Sequence, residues 1–114
     1  MLTLCHHSDI EEGRAKGFEV NGKYLFAVKK NDQIHLYYNY CPHRGTPLEW
    51  LDDDFLDPDG TYIRCATHGA LFVIENGHCV MGPCKGKSLL PIPYQTGNGF
   101  VVVDPRYIAT LGRI

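Results

Sequence analysis

The sequence predicts an all-β protein of stacked antiparallel sheets, and three observations predict it. Short aromatic or β-branched runs recur about every eight to twelve residues, the spacing of a sandwich or barrel. Turn-forming residues punctuate them, with 12 Gly and 7 Pro in 114 residues. No stretch holds the apolar period of about 3.6 residues that an amphipathic helix needs.

Met1 to Leu4 reads as the first strand. Ser8-Asp9-Ile10-Glu11-Glu12-Gly13 reads as a capped turn, with Ser8 as N-cap, acids in the first turn and Gly13 as the stop. Phe18 to Val20, then Asn21-Gly22, then Lys23 to Lys29 is a hairpin, because Asn-Gly supplies both central residues at positive φ. Asn31-Asp32 makes the next turn, and Gln33 to Asn39 returns as a strand. Tyr37, Tyr38 and Tyr40 are expected to pack on its pleated face. Thr61 to Arg64 forms a short strand, and Val73-Ile74 ends another. Glu75-Asn76-Gly77 turns the chain into His78 to Met81, and a loop runs from Gly82-Pro83 to Lys87. Leu89 to Tyr94 is extended but carries Pro91 and Pro93, so it is an edge at best. Thr96-Gly97-Asn98-Gly99 turns into Phe100 to Val103, an apolar run expected to be buried. Asp104-Pro105 ends that strand, and Arg106 to Ile114 is a tail without a legible pattern.

Composition narrows the class. A length of 114 residues suits one domain, taken as 1–114 with a tail at 104–114. A net charge of -2 argues against a nucleic-acid binder, which shows a basic face. No apolar run reaches the roughly 18 residues that span a bilayer, so no membrane association is expected. Met1 to Ile10 lacks the basic start and apolar core of a secretory signal, which places the protein in the cytoplasm. The five Cys are odd in number, which argues against a disulfide framework. Six carboxylates lie between Glu49 and Asp59, leaving +4 elsewhere. That acidic segment, 49–59, is either a solvated loop or a face for a partner.

Two blocks carry chemistry: Cys41-Pro42-His43-Arg44-Gly45 and Cys65-Ala66-Thr67-His68-Gly69-Ala70-Leu71-Phe72. Each offers one thiolate and one imidazole beside a Gly suited to a tight turn. Cys41, His43, Cys65 and His68 are therefore the candidate metal ligands. Common zinc fingers pair Cys with Cys and His with His. One of each on both loops suits a dinuclear centre instead, with Cys41 and Cys65 on one iron, His43 and His68 on the other, and two sulfides between. A single zinc on the same four ligands is the alternative.

These blocks resemble those of Rieske [2Fe–2S] proteins, in which two His replace two Cys on one iron. The Asn21-Gly22 hairpin, the Tyr40-Cys41-Pro42-His43 run and the Gly82-Pro83 loop fall where small Rieske ferredoxins have them, so the resemblance covers nearly the whole chain. The 21 residues between His43 and Cys65 are more than is usual there, and the acidic segment accounts for the excess. The resemblance implies a Rieske-type fold with a small cluster-binding subdomain, about residues 40–84, at one tip, holding one [2Fe–2S] cluster. Pro83 would belong to a third loop covering the cluster from the side. Cytochrome bc-type relatives bridge their ligand loops with a disulfide, but Thr46 and Thr67 stand at those positions here. They also aim a Ser and a Tyr hydroxyl at sulfur, and Ala70 and Phe72 replace these. Each such bond, at about 1–1.5 kcal/mol in favour of the reduced state, is worth roughly 40–65 mV. Losing two places the potential near the low end of the Rieske range, about -150 mV.

The functional expectation is a soluble one-electron carrier and not an enzyme: a ferredoxin component of a dioxygenase-type system that takes electrons from a reductase and passes them to an oxygenase. The imidazoles of His43 and His68 would be exposed for electron exit and docking. Leu48, Leu71 and Phe72 would shield the sulfur side, with Gly45, Thr46, Gly69 and Ala70 shaping the loops. Arg44 would meet a partner carboxylate or stay solvated. Cys79 and Cys84 are read as two small buried hydrophobes, with a redox-active pair as the alternative, and Cys5 as structural. His6 and His7 read as a surface pair. The competing functions are an electron-transfer subunit of a nitrite-reductase-like complex, a redox sensor or interaction module, and a zinc-stabilised structural domain. Oligomeric state is not legible.

Overall fold

The computed structural model describes residues 1–40, 48, 55–65, 69–82 and 85–111. Among these residues the chain forms three small antiparallel sheets and one short helix, so the all-β expectation holds for the bulk of it. The strands are β1 (Leu2–His6), β2 (Ala15–Val20), β3 (Lys23–Lys30), β4 (Gln33–Tyr38), β5 (Tyr62–Arg64), β6 (Leu71–Val73), β7 (Cys79–Met81), β8 (Gln95–Gly97) and β9 (Phe100–Val103), followed by α1 (Pro105–Ile108).

The middle sheet, β2-β3-β4, is built by two turns of the same kind. Asn21 and Gly22 sit at φ 50° and 82°, and Asn31 and Asp32 at 54° and 64°. Two consecutive positive-φ residues give the turn whose twist matches that of the strands it joins. Val20 consequently faces Lys23, and Lys30 faces Gln33. Glu12 caps the second turn, accepting the Asn31 and Asp32 N–H groups at 2.7 and 2.8 Å. Those bonds hold its carboxyl below the usual range.

In β3 the consecutive residues Leu25, Phe26, Ala27 and Val28 are all 0 % exposed. A strand with one wet face alternates, so this run means that the sheet is covered on both sides. Phe26, Val28 and Tyr37 share one core with Ile63, Phe72 and Cys79 of the β5-β6-β7 sheet. Leu25, Ala27, Leu36 and Tyr38 share the other with Cys5, Val101 and Val103 of the β1-β9-β8 sheet and with Ile108 and Leu111. The arrangement is three layers with two cores, and burial of apolar surface on both faces is what holds the middle layer.

Several expectations change in detail. The early turn is a 3-10 turn over His7–Asp9 capped by His6, not Ser8. The His6 ring accepts the Ser8 N–H at 3.2 Å, and Asp9 accepts the His6 N–H at 2.9 Å, so an imidazole takes the part given to the hydroxyl. Thr96 and Gly97 belong to β8, and Asn98-Gly99 alone is the turn, at φ 53° and 83°. Phe100 is 45 % exposed while Val101 and Val103 are buried, because β9 alternates. Tyr40 lies beyond β4, exposed and stacked on Tyr38 at 5.4 Å. Residues 89–94 form no strand. Pro91 and Pro93 lack N–H groups, so the backbone bonds to β4 run through Leu90 and Ile92, from Tyr38 N to Leu90 O and from Ile92 N to Leu36 O, both 2.9 Å.

The tail is also structured as far as Leu111. Asp104 accepts the Arg106 N–H at 2.9 Å as N-cap of α1, and Pro105 occupies its first turn. Ile108 and Leu111 then reach the second core. No helix among the described residues is long and apolar enough to cross a membrane.

Candidate metal centre

Cys65 is the candidate ligand whose position is described, and it follows directly on β5. Strand pairing fixes it, with Arg64 opposite Leu71 and the Arg64 N–H bonded to the Phe55 carbonyl at 2.8 Å. Two backbone bonds then close the turn that follows. Cys65 N donates to Ala70 O at 2.9 Å, and Gly69 N donates to Cys65 O at 2.8 Å. Gly69 has φ 70°, which L side chains rarely adopt, so the Gly after the second His has the turn role expected of it.

The floor of this turn is apolar and tight. Cys65 is 0 % exposed, Ala70 1 %, and Leu48, Phe55 and Phe72 0 % in the same core. Gly82, at φ 104°, lies against Ala70: a Cβ there would come 2.8 Å from Ala70 Cα. The residue before Pro83 is thus packed against Ala70, where the turn after Cys65 ends. Phe72 and Leu71 take opposite faces of β6. Phe72 is buried in the core, whereas Leu71 is half-buried on the outer face.

Sequence reasoning missed Asn39. It is the buried polar residue among those described, 6 % exposed, and its Oδ1 accepts the Leu48 N–H at 2.8 Å. Its own N–H donates to Tyr24 O at 2.9 Å. The end of β4 is thereby tied to Leu48, just past the first ligand block. A single polar residue closing an aromatic strand gives no pattern that would have found it.

Two contacts fasten the β6-β7 turn to the middle sheet. The Tyr37 hydroxyl donates to Ile74 O at 2.6 Å, and Lys30 pairs with Glu75 at 3.0 Å. The ion pair is half-exposed and contributes little. Burial pushes the Tyr37 hydroxyl up to about 12, with the Glu75 charge adding to it. His35 is kept below its usual value by burial first, against the pull of Glu75. Phe55 stacks on Phe26 at 4.4 Å with the rings 7° apart, an arrangement worth about 0.5–1.5 kcal/mol beyond its burial.

Of the expected site, the structure describes Leu48, Cys65, Gly69, Ala70, Leu71 and Phe72, and it gathers Leu48, Cys65, Ala70 and Phe72 into one core. Cys41, His43, Arg44, Gly45, Thr46, His68 and Pro83 lie outside the described residues, as do Thr67, Cys84 and most of the acidic segment. Cys79 is buried and its thiol donates to Met81 O at 3.3 Å, which suits the reading as a small core residue. Burial raises the Cys5 thiol pKa, with Asp9 adding to it, and Cys5 sits in the second core. His7 bonds Asp32 O at 3.0 Å and His6 bonds Ser8 at 2.8 Å, which accounts for that pair as surface structure.

The described part fits an iron–sulfur group. A buried cysteine at the end of a registered strand, on a glycine turn, over an apolar floor, is the donor and the dry setting such a group needs. The family model of the Rieske [2Fe-2S] domain matches residues 1–103. The chain belongs to that family. As a Rieske domain it takes one [2Fe–2S] cluster, and the zinc alternative falls.

Similarity to known proteins supports the assignment. Mouse "Apoptosis-inducing factor 3" is 35 % identical over 75 residues, which is 66 % of this chain and 12 % of that protein. The Rieske domain thus spans about an eighth of the curated relatives it matches first. The Sphingomonas yanoikuyae B1 ferredoxin shares its fold with a TM-score of 0.70 at 24 % identity, over 90 % of this chain and 96 % of that one. A chain from a complex of reduced oxygenase and oxidized ferredoxin in carbazole 1,9a-dioxygenase matches at 25 % identity with a TM-score of 0.68, over 88 % of each.

Proposed function

We propose that this Rieske domain is a soluble, cytoplasmic one-electron carrier that takes electrons from a reductase and passes them to an oxygenase, and is not itself an enzyme. The observation that carries it is the closed Cys65–Ala70 turn on a domain whose fold is matched nearly end to end by ferredoxins. One of these structures is of a ferredoxin in complex with its oxygenase.

In this reading Cys41, His43, Cys65 and His68 would hold the cluster. Residues from about 40 to 84 act as the cluster-binding subdomain of a single domain. When bound, the group supplies reversible one-electron chemistry. The chain's own residues do the rest. Cys65 contributes a thiolate from a fixed strand end, while Leu48 and Phe72 keep water from that side. Gly69 supplies the positive φ of its turn, and Gly82 lets backbone approach where a side chain would not fit. Arg44, Gly45, Thr46 and Pro83 shape the surface that a partner meets.

Protein purified without air should contain about two iron and two sulfide per chain. After reduction it should pass its electron to an oxygenase within the time of turnover. A fully folded, iron-loaded sample that a reductase cannot reduce would exclude the carrier reading and leave the sensor one.

A further inference from the structure

The β5-β6-β7 sheet has an inner and an outer face. Ile63, Phe72 and Cys79 point into the core, each 1 % exposed or less. Arg64, Leu71 and Met81 form the outer row nearest the ligand turn, paired across the sheet. Between Leu71 and Phe72 the register shifts: Leu71 faces Met81, but Phe72 faces Cys79, so Val80 is the extra residue of a bulge. The bulge turns two consecutive apolar residues to solvent, Val80 at 39 % and Met81 at 59 % exposure. Large apolar side chains placed side by side at a functional tip mark a contact surface.

Its rim is basic. After Gly82 the chain doubles back on β7, with Lys85 N bonded to Gly82 O at 3.2 Å, Cys79 N to Lys87 O at 2.9 Å, and His78 bridged to Ser88. Lys85 and Lys87 are thereby brought alongside Val80 and Met81, and both are exposed. No Asp or Glu occurs between Glu75 and Asp104. Glu75 is at the opposite end of the hairpin, paired with Lys30. The returning chain also covers the outer edge of β7, so the surface offers side chains more than a free strand edge. Gly82 packed on Ala70 makes it continuous with the ligand turn.

We infer that Leu71, Val80 and Met81, rimmed by Lys85 and Lys87, form a docking surface for a redox protein whose contacting face sets carboxylates around an apolar centre. This rests on the carrier reading above. The charge argument is local: the whole chain is at -2, yet the run from 76 to 103 carries Lys85 and Lys87 and no carboxylate. A few apolar side chains rimmed by charge suit a short-lived encounter, as electron transfer requires.

Two inorganic oxidants of opposite charge test it, the trianion hexacyanoferrate(III) and the trication tris(phenanthroline)cobalt(III). Each encounter moves one electron from the dithionite-reduced holoprotein to the complex, giving iron(II) or cobalt(II), with no bond or proton exchanged. Stopped-flow rates are followed against ionic strength. The trianion rate should fall about tenfold as salt is raised, because attraction to Lys85 and Lys87 is screened. Lys85→Gln/Lys87→Gln should flatten that response, and Lys85→Glu/Lys87→Glu should reverse it. At high salt, Val80→Ser/Met81→Ser should slow the aromatic trication about threefold and leave the trianion's salt response unchanged. A wild-type trianion rate that rises with salt, as the net charge dictates, overturns the inference, as do charge variants that behave like wild type. A loaded protein that gives no electron to either complex fails the carrier reading instead.

Discussion

The Tyr37 hydroxyl and the Ile74 carbonyl, 37 residues apart in sequence, are joined by a hydrogen bond of 2.6 Å inside the first core. This bond ties the middle sheet to the turn between β6 and β7, and β6 is the strand that begins where the Cys65 turn ends. Tyr37→Phe leaves the carbonyl buried without that donor while keeping the ring. It should cost about 1–3 kcal/mol in denaturant unfolding of the holoprotein. A variant as stable as wild type would mean that the bond contributes nothing net.

The same residue sets an alkaline limit. Tyr37 has its pKa raised from 10.0 to about 12, because burial disfavours the phenolate. A folded-state pKa above the unfolded one gives stability that is complete below pH 10 and is lost as pH rises through about 12. Wild type should therefore weaken across that window, and Tyr37→Phe should weaken less. Tyr94, raised by burial and bonded to Ile34 O, adds to the wild-type loss in the same direction. Parallel profiles for the two proteins would assign the alkaline loss to other groups.

Gly82→Ala meets two obstacles together, a φ of 104° and a Cβ 2.8 Å from the backbone of Ala70. Strain of about 1–3 kcal/mol is expected. It should act at the tip, so the visible absorbance of the cluster should bleach severalfold faster in air while the far-ultraviolet spectrum stays unchanged. Gly60→Ala, also at positive φ but with open space around it, is the control for backbone strain alone. Equal bleaching in both variants would remove the steric argument.

The ligand assignment predicts potentials. With Ala70 in place of a hydroxyl beside the ligand turn, the midpoint should lie near the low end of the Rieske range, about -150 mV. His68→Cys should keep iron and shift the midpoint strongly negative, since a thiolate adds charge that a neutral imidazole does not. A clearly positive wild-type midpoint contradicts the first expectation. An unchanged midpoint in His68→Cys excludes His68 as a ligand.

Much of the frame was legible because its signals are local. The two residues Asn21 and Gly22 define a hairpin on their own, and Asn31-Asp32 marks the next turn, whereas burial of Leu25 to Val28 on both faces shows only once the other sheets are in place. What escaped has a physical reason in each case. The α1 helix is four residues long, too short for any period, and its Asp104-Pro105 start is also how a strand ends. The His6 cap depends on a ring reaching Ser8 N, which residue type alone does not announce. Asn39 matters only because Leu48 comes to it from nine residues on. The metal blocks stand out by ligand chemistry alone, and of the second block the described residues are Cys65 and Gly69 to Phe72.

Leu2 lies opposite Val103, so β1 must find its mate about a hundred residues further along the chain. Non-local pairing of this kind is slow. The hairpins of the middle sheet join neighbours in sequence and can close early. The outer layer is therefore a late step of assembly, and loosening β1 or β9 would delay that closure.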